Sequence, residues 1–144
     1  MKYLPYLLFF LFLGFSSCCD LADTNGCTDA RALNYDAGAT NNDNSCNYSK
    51  ATFYARFNIY SGVPIVKIDV SVDGAFTGSI FNGAIWPAGP GNCSAAGTVG
   101  YQFNSSDSVD WNAEIYLANG VVLLASGSTS PNSFSECIQI NVTN

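Results

Sequence analysis

Six cysteines and no histidine set the chemistry open to this 144-residue chain. Without imidazole the commonest general base and the commonest metal ligand are both missing. A nucleophilic Ser or Cys would then need a carboxylate as its base. The acidic side chains that crowd together most are Asp107, Asp110 and Glu114, which makes them the candidates for a small carboxylate-dependent hydrolase. Asp110 and Glu114 share one phase of a period-two pattern, however, and solubilising charges on the outer face of a strand explain them more simply. No C-x-x-C occurs, which disfavours thiolate zinc. Asp29, Asp36 and Asp43, with Asn34, Asn41 and Asn42, offer the hard oxygens that calcium prefers. No D-x-[DN]-x-[DN]-G loop accompanies them, and Asn and Asp are also what turns use to bond their own backbone. Turn chemistry is therefore preferred, with calcium kept as the alternative and no other cofactor expected.

Aromatic residues give a second kind of chemistry. Trp86, Tyr54, Tyr60 and Tyr116 are candidate ligand contacts, because exposed rings stack on sugars and anchor protein partners. The three tyrosines fall on outward phases. The plainer alternative has Trp86 plugging the end of a sandwich and the tyrosines covering sheet edges. Charge narrows the partners further: the net charge is −6 and the pI about 4.1. Arg31, Lys50, Arg56 and Lys67 are scattered, whereas phosphate binding needs clustered cations, so nucleic acid is not an expected partner. Docking on an anionic bilayer through protein charge is disfavoured for the same reason.

The elements that must carry these residues begin with an apolar N-terminus. Residues 1–17 hold one Lys and an apolar run from Tyr3 to Phe15, short for a membrane span and suited to a signal-peptide core. Phe15-Ser16-Ser17-Cys18 resembles a bacterial lipobox, with Phe15 where that pattern usually has Leu. The resemblance implies cleavage before Cys18 and lipidation of its thiol, with Cys19 as the alternative acceptor. An ordinary secretory signal is the competing explanation. Acyl chains that bury methylenes at ~0.8 kcal/mol each would make attachment to the membrane effectively permanent. Residues 18–25 read as a polar tether. Asp20 and Asp23 resemble the surface-export signal of some Gram-negative lipoproteins, which puts the cell-surface side of the outer membrane ahead of its periplasmic side.

Residues 26–48 are rich in Asn, Asp, Thr, Ser and Gly, with only Ala32, Leu33, Tyr35 and Ala39 available for a miniature core. A covalent tie between Cys27 and Cys46 would supply the missing order, contributing roughly 3 kcal/mol for a loop of about twenty residues. The stretch resembles the repeat G-C-T-D-x-x-A-x-N-Y-D-x-x-A-x-x-x-D-G-S-C of exported bacterial surface proteins. Gly26, Cys27, Thr28, Asp29, Ala32, Asn34, Tyr35, Asp36, Ala39, Asp43, Ser45 and Cys46 match it. Asn44 stands where the repeat has Gly, and Asn tolerates the left-handed turn nearly as well. The resemblance implies a spacer at the cell surface with no chemistry of its own.

From residue 51 the pattern turns to period two. Phe53, Ala55, Phe57 and Ile59 alternate with Tyr54, Arg56, Asn58 and Tyr60; Val66, Ile68, Val70 and Val72 alternate with Lys67, Asp69, Ser71 and Asp73. Asp73-Gly74 and Asn119-Gly120 are hairpin signals. The run around Val70 to Gly78 resembles small sandwich modules of the PEGA type. A long Gly, Pro and Ala loop follows over residues 82–96, and Ser126 to Ser133 read as a linker before a last strand with Phe134, Ile138, Ile140 and Val142 as inward candidates. If Cys18 is lipidated and Cys27 pairs with Cys46, Cys93 and Cys137 form the natural remaining pair, although six cysteines leave the connectivity open. About seven short strands over residues 51–144 predict an all-β fold, a small antiparallel sandwich after the signal peptide and the disulfide-bracketed module. The expected function is non-catalytic, a structural or interaction role at the envelope of a Gram-negative bacterium, with a protein or polysaccharide partner. Alternatives are a carbohydrate-binding module of a glycan-uptake system and the small hydrolase. Asp107-Ser108-Val109 also resembles a bacterial O-glycosylation acceptor.

Overall fold

The computed structural model describes residues 23–143, so the expected signal peptide and the candidate lipid acceptors Cys18 and Cys19 lie outside the described residues. Within it the chain is all-β and forms no helix. In chain order the strands are β1 (Asn25–Gly26), β2 (Asn41–Asn42), β3 (Lys50–Tyr54), β4 (Ile59–Tyr60), β5 (Val63–Val72), β6 (Ala75–Phe81), β7 (Val99–Gln102), β8 (Val109–Leu117), β9 (Val122–Thr129) and β10 (Cys137–Asn141). β1 and β2 pair inside the cysteine-bracketed module. A three-stranded sheet runs β10-β3-β7, and a five-stranded sheet runs β4-β5-β8-β9. There β6 joins β5 along Lys67 to Val72, beyond the residues that pair with β4. The two sheets stack as a small sandwich, whose strands of four residues or more number seven.

Alternation builds most of the core that the sequence predicts; Val66, expected inward, is half exposed, because a bulge between Ile65 and Lys67 shifts the phase and buries Ile65 instead. β5 buries Ile65, Ile68, Val70 and Val72, and β8 buries Val109, Ala113, Ile115 and Leu117. From the small sheet Ala51, Phe53 and Val99 face them, with Ala55 and Val142 just beyond the strand ends. Each large side chain so buried contributes roughly 1.5–3 kcal/mol. The Phe53 and Trp111 rings meet edge to face at 5.7 Å, a geometry that adds about 0.5–1.5 kcal/mol. Asp73 and Gly74 both adopt positive φ, 49° and 76°, the signature of the tight turn whose twist suits a hairpin. Ser61 and Gly62 repeat this between β4 and β5.

Four further features depart from the sequence pattern. β3 stops after Tyr54, because the Arg56 N–H donates to Thr143 Oγ1 (2.9 Å) and the chain turns there; Phe57 and Ile59 consequently lie at the surface. The expected linker from Ser126 is half strand, since β9 pairs with β8 as far as Thr129. Gly127 belongs there for packing reasons, as a Cβ on it would fall 2.9 Å from Trp111 Cζ2. Phe134 is 97% exposed, held in a turn where Asn132 Oδ1 accepts the N–H groups of Phe134 and Ser135. The small sheet, finally, is not purely antiparallel, because β10 runs parallel to β3.

The long loop after β6 lies over the outer face of the small sheet. The Trp86 N–H donates to Ala55 O (2.8 Å), and the Arg56 Nε–H donates to Pro87 O (3.0 Å). A Cβ on Gly89 would fall on Gln139, and one on Gly100 would approach Cys93 O. The loop accounts for the complete burial of Thr52, which sits on the outward phase of β3.

Candidate functional site

All four cysteines among the described residues are cross-linked. Cys27 bonds Cys46 and Cys93 bonds Cys137, with Cα separations of 4.8 and 5.4 Å. The first bond closes the module around Cys27 and Ala32, both buried; the second fastens the long loop to the start of β10. Asn44 takes φ 63°, the left-handed turn in which the resembling repeat has Gly.

The three aspartates offered to calcium are engaged by their own turns. Asp29 Oδ1 accepts the Arg31 N–H at 2.9 Å, Asp36 Oδ1 the Gly38 N–H at 2.8 Å, and Asp43 Oδ1 the Ser45 N–H at 2.9 Å. The described residues contain no group of three His, Cys, Asp or Glu side chains placed to hold a metal. Asp29 does more than cap a turn. Its Oδ2 accepts the Tyr48 hydroxyl at 2.8 Å, while Arg31 Nη1 donates to Ser106 O at 2.7 Å and joins the module to the sandwich. The Arg31 N–H, then Ser106 and Tyr48, hold the Asp29 carboxyl below its ordinary value. Burial, then the bond to Asp29, pushes the Tyr48 phenol up.

The four aromatic candidates do not converge. Tyr54 is half-buried on the outer face of the small sheet, close to Gly89. Trp86 is half-buried in the loop above that face, and its Nε1 is buried with no hydrogen-bond partner among the described residues. Tyr116 lies on the opposite outer face, that of the five-stranded sheet, with the Lys67 ammonium 4.6 Å from its ring centre. Its hydroxyl donates to Glu114, and that bond, then burial, pushes the phenol up. Tyr60 is exposed at one end of the sandwich.

Nor do the carboxylates pair. Asp110 and Glu114 point outward four residues apart on β8, about 13 Å along an extended strand. That exceeds the roughly 5–9.5 Å over which two carboxylates can share a glycosidic bond. Asp107 accepts the Ser105 hydroxyl in a loop, and the Ser108 hydroxyl is engaged with Ser128 at 2.6 Å. Two cross-strand juxtapositions escaped the sequence reading, Asp69 opposite Glu114 and Asp73 opposite Asp110, where Asp73 Oδ1 accepts the Asp110 N–H at 2.9 Å. Burial resists ionisation of Asp69, but Lys67 at 2.7 Å and the Ser79 hydroxyl outweigh it and hold the carboxyl below its ordinary value. An acid so held is a poor proton donor.

One recess that no motif announced lies between the sheets. Phe57, Tyr60, Ile65, Ile115, Leu123 and Ala125 line a cleft of about 170 Å³ between the sheets. Thr143, just after β10, forms its opposite wall, and Phe57 and Thr143 also border a shallower recess holding Arg56, Pro87 and Asn141. Phe57 and Tyr60 lie beyond the turn at Arg56 and border the cleft from the surface. Finding it from sequence would have required knowing which strands end the two sheets. No family model, curated protein or solved structure matches the chain.

Proposed function

We propose that this chain is a lipid-anchored exported protein of a Gram-negative envelope with a non-catalytic structural or interaction role. The observation that carries this reading is the pair of disulfides, which persist in oxidising compartments outside the cytosol. Both bonds are made without drawing on Cys18 or Cys19, as acylation of either thiol requires. The bracketed module, stiffened by its cross-link and tied to the sandwich through Arg31 and Ser106, suits a spacer that holds the sandwich away from a bilayer. The resemblance of Phe15 to Cys18 to a lipobox supports the anchor, and that of residues 26–48 to a surface repeat supports the outer membrane, its cell-surface side first. The partner is a protein or a polysaccharide. Membrane fractionation of the Cys18→Ala, Cys19→Ala and doubly substituted proteins tests this. Loss of sedimentation with the membrane in the double variant is the expected result, and unchanged sedimentation overturns the anchor.

Carbohydrate binding has one observation in its favour, on the outer face of the five-stranded sheet. Phe81 and Tyr116 flank Lys67 in a single cross-strand row, about 10 Å apart across two strand spacings. Affinity electrophoresis in soluble glycans, with Phe81→Ala and Tyr116→Ala as comparisons, decides this second reading.

A further inference from the structure

β6 lies against β7 at one flank of the sandwich, where a Cβ on Gly78 would press on Val99. At the other flank β9 and β10 are the terminal strands of their sheets. The Leu117 N–H donates to Val121 O at 2.9 Å. In an antiparallel pair the bonded and unbonded positions alternate, so Val122, Leu124, Ser126 and Ser128 direct their N–H and C=O groups away from β8 into that flank. Sheet edges are ordinarily blunted by lysine, proline or a bulge. β9 reads V-L-L-A-S-G-S-T with none of these, and its register with β8 is unbroken. Its outward Leu124 is 77% exposed.

The cleft between the sheets opens beside this edge, with Leu123 and Ala125 of β9 in its wall. Arg56 stands in the adjoining recess. Its Nε is bound to Pro87 O, and no carboxylate among the described residues lies within ion-pair distance of its guanidinium. In a chain of net charge −6, a cation so placed complements an acidic ligand.

We propose that this flank is a strand-accepting site for an extended segment of another protein, apolar at alternate residues and carrying a carboxylate. The segment's main chain bonds the four positions of β9 left unpaired among the described residues, alternate side chains enter the cleft, and the carboxylate meets Arg56. A glycan or lipid cannot supply donors and acceptors at strand spacing. A second copy would present its own β9, which holds no acidic residue, leaving Arg56 unpaired while two acidic chains repel. The proposal gives the interaction role above a partner class and rests on that reading only for where the partner is met; failure of the anchor test leaves peptide binding untouched.

The test pans a random twelve-residue phage-displayed peptide library on the full native protein in detergent, with Ser126→Pro as the counter-target. Proline at an edge position that bonds nothing in its own sheet is compatible with the fold. The expected winners alternate apolar residues and carry Asp or Glu. A synthetic winner should slow amide exchange at Val122, Leu124, Ser126 and Ser128. Its N-methylated form, which cannot donate to the edge, should not bind. Arg56→Gln should weaken it roughly fivefold, the upper range for an exposed ion pair. The proposal is overturned by an absence of enrichment over the counter-target, by winners without a carboxylate, or by protection elsewhere. Concentration-dependent protection of the same amides without peptide would assign the edge to a second copy and overturn it equally.

Discussion

Replacing both Cys93 and Cys137 by Ser separates the two cross-links by what each one holds. The residues are 44 apart in sequence, and releasing such a loop costs about 4 kcal/mol in the chain-entropy model. The Cys27–Cys46 bond, at a separation of 19, is worth about 3 kcal/mol on the same basis. The consequences should differ far more than those figures. β10 pairs with β3 at the centre of the small sheet and brings Ile138 and Ile140 against the core, so the first loss falls on the whole sandwich. With net stabilities of about 5–15 kcal/mol and roughly 4–8 °C of Tm per kcal/mol for a domain of this size, a fall of about 15–30 °C follows. The loop carrying Trp86 should also lift, so its emission moves to the red; a Trp86→Phe background isolates the contribution of Trp111. The Cys27→Ser, Cys46→Ser protein should instead lose amide protection within residues 26–48 and keep the sandwich transition within about 5 °C. Thermal melts followed by circular dichroism and Trp fluorescence, without reductant, read all of this. Equal losses of Tm in the two double variants would refute the reasoning, as would an unshifted Trp86 emission in the first.

Gly127→Ala places a methyl against Trp111 and should cost about 1–3 kcal/mol, seen as a lower urea midpoint with an unchanged slope; an unaltered midpoint would show that Trp111 yields freely. Arg31→Ala removes the bond to Ser106 O and should speed amide exchange in the module while leaving the sandwich Tm within about 2 °C, since one such bond is worth about 0.5–1.5 kcal/mol net. Because the Asp69 carboxyl is held below its ordinary value, the unfolded chain binds more protons than the folded one in acid. Its stabilisation is therefore complete above the ordinary carboxylate range and lost as pH falls through the folded value. Asp69→Asn should flatten the decline of Tm between pH 7 and pH 3, and an identical decline would mean that other carboxylates dominate.

Local chemistry was the legible part of this fold. Asp73-Gly74 and Asn119-Gly120 mark the turns that join β5 to β6 and β8 to β9, because turn dihedrals depend on the two or three residues that adopt them. The alternation in β8 and in β5 from Ile68 onward predicted the buried faces for the same reason, whereas Val66 lost its inward place to Ile65 at a bulge that only the pairing with β8 reveals. What failed depended on distant partners. Gly127 and its neighbouring serines looked like a linker until Trp111 was seen to need the space. Phe57 and Ile59 kept the inward phase in sequence but lay beyond the turn that Thr143 imposes, 87 residues away from Arg56. Tyr54 and Tyr116 keep the outward phase expected of them while Tyr60 borders the cleft, and period two does not say which of two opposite faces a strand will present. The open flank was beyond reach altogether, since an edge is defined by the strand order.

The most direct test is mass spectrometry of the mature N-terminus, taken from cells grown with and without an inhibitor of the lipoprotein signal peptidase. The account predicts a first residue of Cys18, or else Cys19, bearing a thioether-linked diacylglyceryl group and an amide-linked acyl chain, with the uncleaved form accumulating under inhibition. An unacylated N-terminus at any other residue, indifferent to the inhibitor, would contradict it.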